Sequence, residues 1–341
     1  MMAGHIMEKT VAALVAPGKG LLAADESFAT IAKRFEAINL PSTEEYRRAY
    51  RELLFTAPGI ERYLSGVILF DETIHQQASD GTPFPVLLTR RGILPGIKVD
   101  TGTVSLPFFP EEKITEGLDG LRERFAEYRN LGARFSKWRA VIRISEHTPT
   151  QSCLDANAQT LARYAALSQE AGLVPIVEPE VLMEGNHTLE RCAEVTEQTL
   201  FTLFQALYDA RVAFEMMLLK ANMALPGTDS SHQVSVQDVA EATLRCLRHA
   251  VPAAVPGVVF LSGGQSDLAA TQHLNALNQL DDAPWQLGFS FARALQRPAL
   301  QAWEGKAENR SVAQQALLHR AKCNGVARTG QYSSEMESQY P

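Results

Sequence analysis

Eight short apolar runs alternate with amphipathic stretches along this chain, and that rhythm restricts the folds open to it more than any other feature. The runs are Leu21–Ala24, Gly66–Phe70, Ile97–Val99, Ala140–Ile144 with its approach Phe135–Trp138, Val174–Val177, Met216–Leu219, Val258–Leu261 and Gln286–Phe289. Between them, Ser42–Leu54, Asp119–Asn130, Asp155–Ala171, Leu189–Ala210 and Val236–Ala250 carry helical periodicity. Strands alternating with helices build a parallel sheet. Eight such units close it into an α/β fold of the (β/α)8, or TIM, barrel type. An open doubly wound sheet is the alternative, but no GxGxxG or P-loop pattern supports its nucleotide-binding form.

The residues that end these runs are polar or charged: Asp25, Lys98, Lys137, Glu178, Lys220, Ser262 and Arg293. From Lys98 to Ser262 they succeed one another at intervals of about 40 residues, the length of one strand-helix unit. Barrel active sites form where the C-terminal ends of the strands converge, so this spacing predicts a single ring of polar side chains around one pocket.

The rest of the chain narrows the function classes. Its 341 residues carry a formal net charge of -7 and no long basic run, which argues against a nucleic-acid partner. No apolar stretch approaches the roughly 20 residues of a membrane span. Met1 to Ala16 lacks the pattern of a signal peptide. The four cysteines, Cys153, Cys192, Cys246 and Cys323, are far apart and form no CxxC pair, which fits a reducing, cytoplasmic compartment. No linker divides the chain, so residues 1–330 are expected to form one catalytic domain, with 331–341 as a flexible C-terminal tail. Among eight histidines there is no close pair and no HxH or HExxH pattern, so neither a metal nor another cofactor is expected. No GxSxG elbow points to a serine hydrolase.

Lys220 closes the run Glu215-Met-Met-Leu-Leu-Lys220. A lysine there lies at a desolvated barrel mouth, and burial beside another cation favours the neutral amine that attacks a ketone. A snorkelling or salt-bridged lysine is the structural alternative. Lys137 and Arg139, two apart on a strand, share one face, as do Glu178 and Glu180. The cations call for an anionic partner, either a substrate phosphate or these carboxylates. Two neighbouring carboxylates can separate in acidity, leaving one protonated to expel water from a carbinolamine; they can equally be lysine counter-ions. Asp25 can take a proton from a substrate hydroxyl or cap the next helix, and Glu26 is expected to face solvent. Ser262-Gly263-Gly264 after a strand suits close approach of backbone N–H groups to a phosphate, or a tight turn, with Arg293 beside it as a guanidinium fork. Lys98 and Arg34 are candidates for a second phosphate, or surface cations.

Taken together and in order from about Gly18 to Gly325, these motifs resemble class I fructose-bisphosphate aldolase. They are Gly18-Lys-Gly-Leu-Leu-Ala-Ala-Asp-Glu-Ser27, Gly96-Ile-Lys-Val-Asp100, Lys137-Trp-Arg139, Pro175-Ile-Val-Glu-Pro-Glu180, Leu218-Leu-Lys220 with Asn222-Met223, Leu261-Ser-Gly-Gly-Gln-Ser266, and Phe289-Ser290 with Arg293-Ala-Leu-Gln296. The resemblance implies a metal-independent lyase that reversibly splits fructose 1,6-bisphosphate into dihydroxyacetone phosphate and glyceraldehyde 3-phosphate. It implies Lys220 as the imine-forming residue, Glu178 as acid and base, Lys137 as assistant in that step, Asp25 at the C4 hydroxyl and Glu180 in the charge network. It further implies Ser262, Gly263 and Arg293 at the 1-phosphate, Lys98 and Arg34 at the 6-phosphate end, Arg139 beside the substrate, and a homotetramer. The chain departs from the family pattern at Phe28-Ala29, Ala221, Phe291-Ala292 and in a short tail ending Tyr340-Pro341, so no role is carried over to Tyr340.

Overall fold

The computed structural model describes residues 2–280 and 283–339. Eight parallel strands close into a barrel: β1 Gly20–Ala24, β2 Leu64–Leu69, β3 Leu94–Lys98, β6 Phe135–Ile142, β7 Val174–Val181, β8 Leu218–Ala221, β9 Gly257–Phe260 and β10 Gln286–Phe291, with β1 hydrogen-bonded to both β2 and β10. Each corresponds to one of the eight expected runs. The remaining two strands, β4 Gly102–Leu106 and β5 Phe109–Glu116, form an antiparallel hairpin on the segment between β3 and β6. Its residues are largely exposed, so it lacks the buried alternation that makes a strand readable in sequence.

Helices fill the intervals. The expected stretch Val236–Ala250 is a helix with those same bounds, because Ser235 and Asp238 form a reciprocal capping box at its start. Gln151–Glu170 and Leu189–Asp209 begin at threonine N-caps, Thr150 and Thr188, whose side chains accept from backbone N–H groups one turn on. No helix among the described residues is long and apolar enough to cross a membrane.

Two cores result. The larger lies between the barrel wall and the helices. The smaller fills the barrel's lower interior and joins Leu21, Ala23, Ile68, Phe135, Val174, Ile176, Leu218 and Val259 to Met7, Val11 and Leu14 of the first helix, Met2–Leu14. That helix plugs the end of the barrel away from the strands' C-termini. Phe135 fills the centre so fully that a Cβ on Gly96 of the neighbouring strand would stand 2.2 Å from its ring.

Alternation along the strands then decides what lies above this apolar floor. Continuing Leu21 and Ala23 by two residues gives Asp25. Phe135 leads to Lys137 and Arg139, Val174 and Ile176 to Glu178 and Glu180, and Leu218 to Lys220. The same inward face is apolar at one end of each strand and charged at the other.

The segment after the last helix, Arg310–Ala327, also packs. Tyr332 is buried, its backbone N–H donates to Asn275 Oδ1 at 2.9 Å, and Glu337 accepts from Arg320. Tyr340 and Pro341 lie outside the described residues.

Candidate active site

Four buried side chains from four strands form one charge chain. Lys220 Nζ is ion-paired with Glu178 Oε1 at 2.9 Å, and Lys137 Nζ with Glu178 Oε2 at 2.7 Å. Lys137 Nζ reaches on to Asp25 Oδ2 at 2.9 Å. Asp25 comes from the end of β1, Lys137 from β6, Glu178 from β7 and Lys220 from β8. The barrel's curvature therefore brings together residues that lie up to 195 positions apart (Asp25 to Lys220). None of the four is more than 8% exposed.

Electrostatics sets the charge of three of them, Glu178, Asp25 and Lys137. Burial pushes the Glu178 carboxyl up, but Lys137, Lys220 and Arg139 outweigh it and hold the group below the usual carboxylate range. Asp25 is likewise pushed up by burial and held far lower by Lys137 and Lys220. Burial alone pulls the Lys137 ammonium down, yet Asp25 and Glu178 raise it well above the ordinary lysine value. The sequence left Glu178 open as a protonated acid or as a lysine counter-ion; cations facing it from both neighbouring strands favour the ionised counter-ion.

The outer residues are placed around this core. Arg139 pairs with Glu180 across adjacent strands, and its guanidinium is held protonated chiefly by that carboxylate against the pull of burial. Lys98 Nζ lies 2.6 Å from Asp100 Oδ1, and Asp100 also accepts from the Arg139 backbone N–H at 3.2 Å. Asp100 thus anchors one proposed phosphate contact, a role the sequence reading did not assign. Arg34 pairs with Glu26. Glu26 does not face solvent as expected: it is 6% exposed and also accepts from Arg51 at 2.7 Å and from Gln296 Nε2 at 2.8 Å. The sequence did not reveal this because Arg51 and Gln296 arrive from helices remote in the chain.

Ser262 is buried at the end of β9, and the following loop runs close to the charged ring: a Cβ on Gly263 would sit 3.2 Å from Glu180 Oε1. Gly264 has φ +75, and a side chain there would meet Met183 at 2.6 Å. Glycine is therefore required both by backbone conformation and by space. Gln265 Oε1 lies 2.7 Å from Nδ1 of the buried His273, which ties the loop to the helix Asp267–Gln279. Arg293 is exposed and opens the helix Arg293–Trp303 beside the end of β10. Ser290, buried on the inward face of β10, has no hydrogen-bond partner for its hydroxyl. It stood inside a quoted motif but was not singled out, since a lone strand serine carries no distinctive pattern.

The entire chain from residue 6 to residue 340 matches the family model described as fructose-bisphosphate aldolase class-I. This chain belongs to the class-I fructose-bisphosphate aldolase family. A probable fructose-bisphosphate aldolase class 1 of Xylella fastidiosa is 55% identical over 327 residues, covering 96% of this chain and 98% of that protein. The cytosolic fructose-bisphosphate aldolase 6 of Arabidopsis thaliana is 54% identical over 320 residues, 94% of this chain and 89% of its own length. Fructose-bisphosphate aldolase from Plasmodium falciparum, in a ternary co-crystal structure, superposes with a TM-score of 0.96 at 47% identity, covering 98% of this chain and 97% of that one. The aldolase is accordingly a lyase that reversibly cleaves fructose 1,6-bisphosphate into dihydroxyacetone phosphate and glyceraldehyde 3-phosphate.

Proposed function

We propose that Lys220 is the residue that forms the Schiff base, and that the chain Lys220–Glu178–Lys137–Asp25 carries the proton transfers. The observation that supports this most directly is Glu178, one carboxylate in contact with both lysines at 2.9 and 2.7 Å. Lys220 attacks the C2 carbonyl of the ketose. Two protons leave the ion-paired nitrogen: one passes to the oxyanion formed on attack, giving the carbinolamine, and the other is taken by Glu178 and returned to that hydroxyl, which leaves as water. The resulting iminium draws in the electrons of the C3–C4 bond as Asp25 takes the proton of the C4 hydroxyl. Glyceraldehyde 3-phosphate departs, and an enamine remains. Protonation at C3 and hydrolysis of the imine release dihydroxyacetone phosphate and restore Lys220. Lys137, held as a cation, keeps both carboxylates ionised and stabilises the oxyanion formed on attack.

Ser262, Gly263 and Arg293 are proposed to hold the 1-phosphate, and Lys98 and Arg34 the 6-phosphate, with Arg139 flanking the substrate and Glu180 fixing Arg139. Inside the ring two lysines balance two carboxylates, so a bisphosphate needs these further cations. Lys98 and Arg34 already have the carboxylates Asp100 and Glu26, so phosphate must compete for them. That competition reduces what each cation contributes, and the surplus that remains is binding energy remote from the reacting bond.

The decisive test is borohydride reduction in the presence of dihydroxyacetone phosphate, followed by peptide mass spectrometry. A label on Lys220 is expected; a label on another lysine, or none, overturns the assignment. Activity is expected to survive EDTA. We further propose that residues 1–330 act as one catalytic domain, that the enzyme is a cytoplasmic homotetramer, and that it acts on free sugar phosphates without nucleic-acid partners. The cytosolic relatives support the location. Light scattering at four times the 37.5 kDa chain mass would support the assembly, and a monomeric mass would reject it.

A further inference from the structure

Outside the charged ring, the last helix and the C-terminal segment bring together three side chains the proposed mechanism does not use. His319 and Cys323 lie four residues apart on Arg310–Ala327, on one helix face. Cys323 Sγ lies 3.6 Å from His319 Nε2. The segment Ser334–Gln339 folds back and brings Glu337 Oε2 to 3.3 Å from the same nitrogen. All three ligand atoms fall within 4.8 Å of one another. We propose that His319, Cys323 and Glu337 form a binding site for one divalent ion of the zinc class, clamping the C-terminal segment to the last helix.

The distances carry the argument. A tetrahedral zinc with bonds of about 2.0–2.1 Å to nitrogen, about 2.3 Å to sulfur and about 2.0–2.2 Å to oxygen separates N from S by roughly 3.6 Å and N from O by roughly 3.3–3.4 Å. The observed separations are 3.6 and 3.3 Å, and sulfur and oxygen lie within 4.8 Å, a gap the carboxylate closes by turning toward the ion. Hydrogen bonding accounts for them less well. One ring nitrogen has a single in-plane site, as donor or as acceptor, and cannot form a good bond to a thiol and a carboxylate at once. A mixed nitrogen, sulfur and oxygen set suits zinc and disfavours magnesium or calcium.

The surroundings orient the ligands. Glu337 Oε1 accepts from Tyr332 Oη at 2.8 Å and from Arg320 Nη1 at 2.6 Å, while Arg320 Nη2 donates to the Asp267 carbonyl at 3.1 Å. Arg320 Nη1 also donates to Glu337 Oε2 at 2.6 Å, so the guanidinium holds both carboxylate oxygens while Oε2 faces His319 Nε2. A cavity of about 330 Å³ bordered by Ser266, Asp267, Arg297 and the proposed ligands His319 and Glu337 gives an ion an entry path and room for water as a fourth ligand. Binding replaces the S–H proton, which passes to solvent. Two ligand charges then neutralise the ion, and the Arg320 charge stays where it is.

Cobalt(II) titration of the chelator-treated full-length enzyme tests this. Expected are one cobalt per chain, a sulfur-to-cobalt charge-transfer band, and its loss when zinc is added. Cys323→Ser is expected to abolish the band, and His319→Ala and Glu337→Gln to weaken binding by at least about tenfold. Fructose 1,6-bisphosphate cleavage by each variant controls for folding, and Glu337→Gln, on the accessible segment, is the variant least prone to disturb it. No band in the parent at saturating cobalt, a band that survives Cys323→Ser, or unchanged affinity in both other variants would overturn the proposal.

Discussion

Glu178→Gln tests the proposed mechanism at its centre. The substitution keeps size and shape but removes the charge that touches Lys220 at 2.9 Å and Lys137 at 2.7 Å. Lys137 retains Asp25 at 2.9 Å, whereas Lys220 loses its one carboxylate partner among the described residues. Breaking a buried pair by removing one partner costs about 3–5 kcal/mol. Because Lys137 stays paired, the lower end, about 3 kcal/mol of stability, is expected, readable in urea or thermal melts. Loss of the acid and base in carbinolamine dehydration is expected to lower kcat by about 10²–10⁴, or roughly 3–5 kcal/mol in the barrier. KM is expected to change little, since the phosphate contacts are elsewhere. The discriminating assay is the rate of borohydride labelling. Borohydride reduces the imine and not the carbinolamine, so labelling of Lys220 is expected to slow in step with kcat. Labelling as fast as in the parent enzyme, with kcat within about fivefold, would refute the role given to Glu178.

Three further outcomes are expected. Asp25→Asn is expected to reduce cleavage of fructose 1,6-bisphosphate by about 10²–10⁴ while imine trapping with dihydroxyacetone phosphate persists, because that ligand has no C4 hydroxyl to deprotonate; equal loss in both assays would reject the assignment. His273, buried, is pulled from 6.5 down to about 4 by desolvation, so the unfolded chain binds the proton first as pH falls. Its contribution of order 3 kcal/mol is present above pH 6.5 and lost progressively toward pH 4, and His273→Gln is expected to flatten urea-melt stability across that window. Gly96→Ala puts a Cβ 2.2 Å from the Phe135 ring and is expected to cost about 1–3 kcal/mol; adding Phe135→Leu is expected to recover part of it, and strictly additive losses would show that the two do not compete for space.

Much of the site was legible because strand geometry is periodic. Lys137 and Arg139, or Glu178 and Glu180, share a face whatever the partner strands do, and a 40-residue recurrence of polar residues at strand ends points to one rim. The rest was hidden for identifiable reasons. The hairpin β4–β5 buries only Glu112 and Thr115, so it has no buried apolar face to impose alternation. Asp100 holds Lys98 through a local bend after β3, which no spacing rule encodes. Glu26 looked like a surface residue because Arg34, Arg51 and Gln296, the groups that make its burial tolerable, come from three different helices. His319 and Cys323 stand at helical spacing, but a third ligand from the C-terminal segment had no sequence signal at all.

By itself, the order of residues determined the eight-unit barrel, the inward face of each strand and the family, since periodicity and local motifs depend only on neighbours in the chain. Tertiary structure alone decided the charge states and pairings: that Glu178 is ionised, that Lys137 is shared by two carboxylates, that Glu26 is buried. Those depend on which charges closure brings within about 3 Å, and electrostatic interaction in a desolvated interior is set by distance in space, not by separation along the sequence.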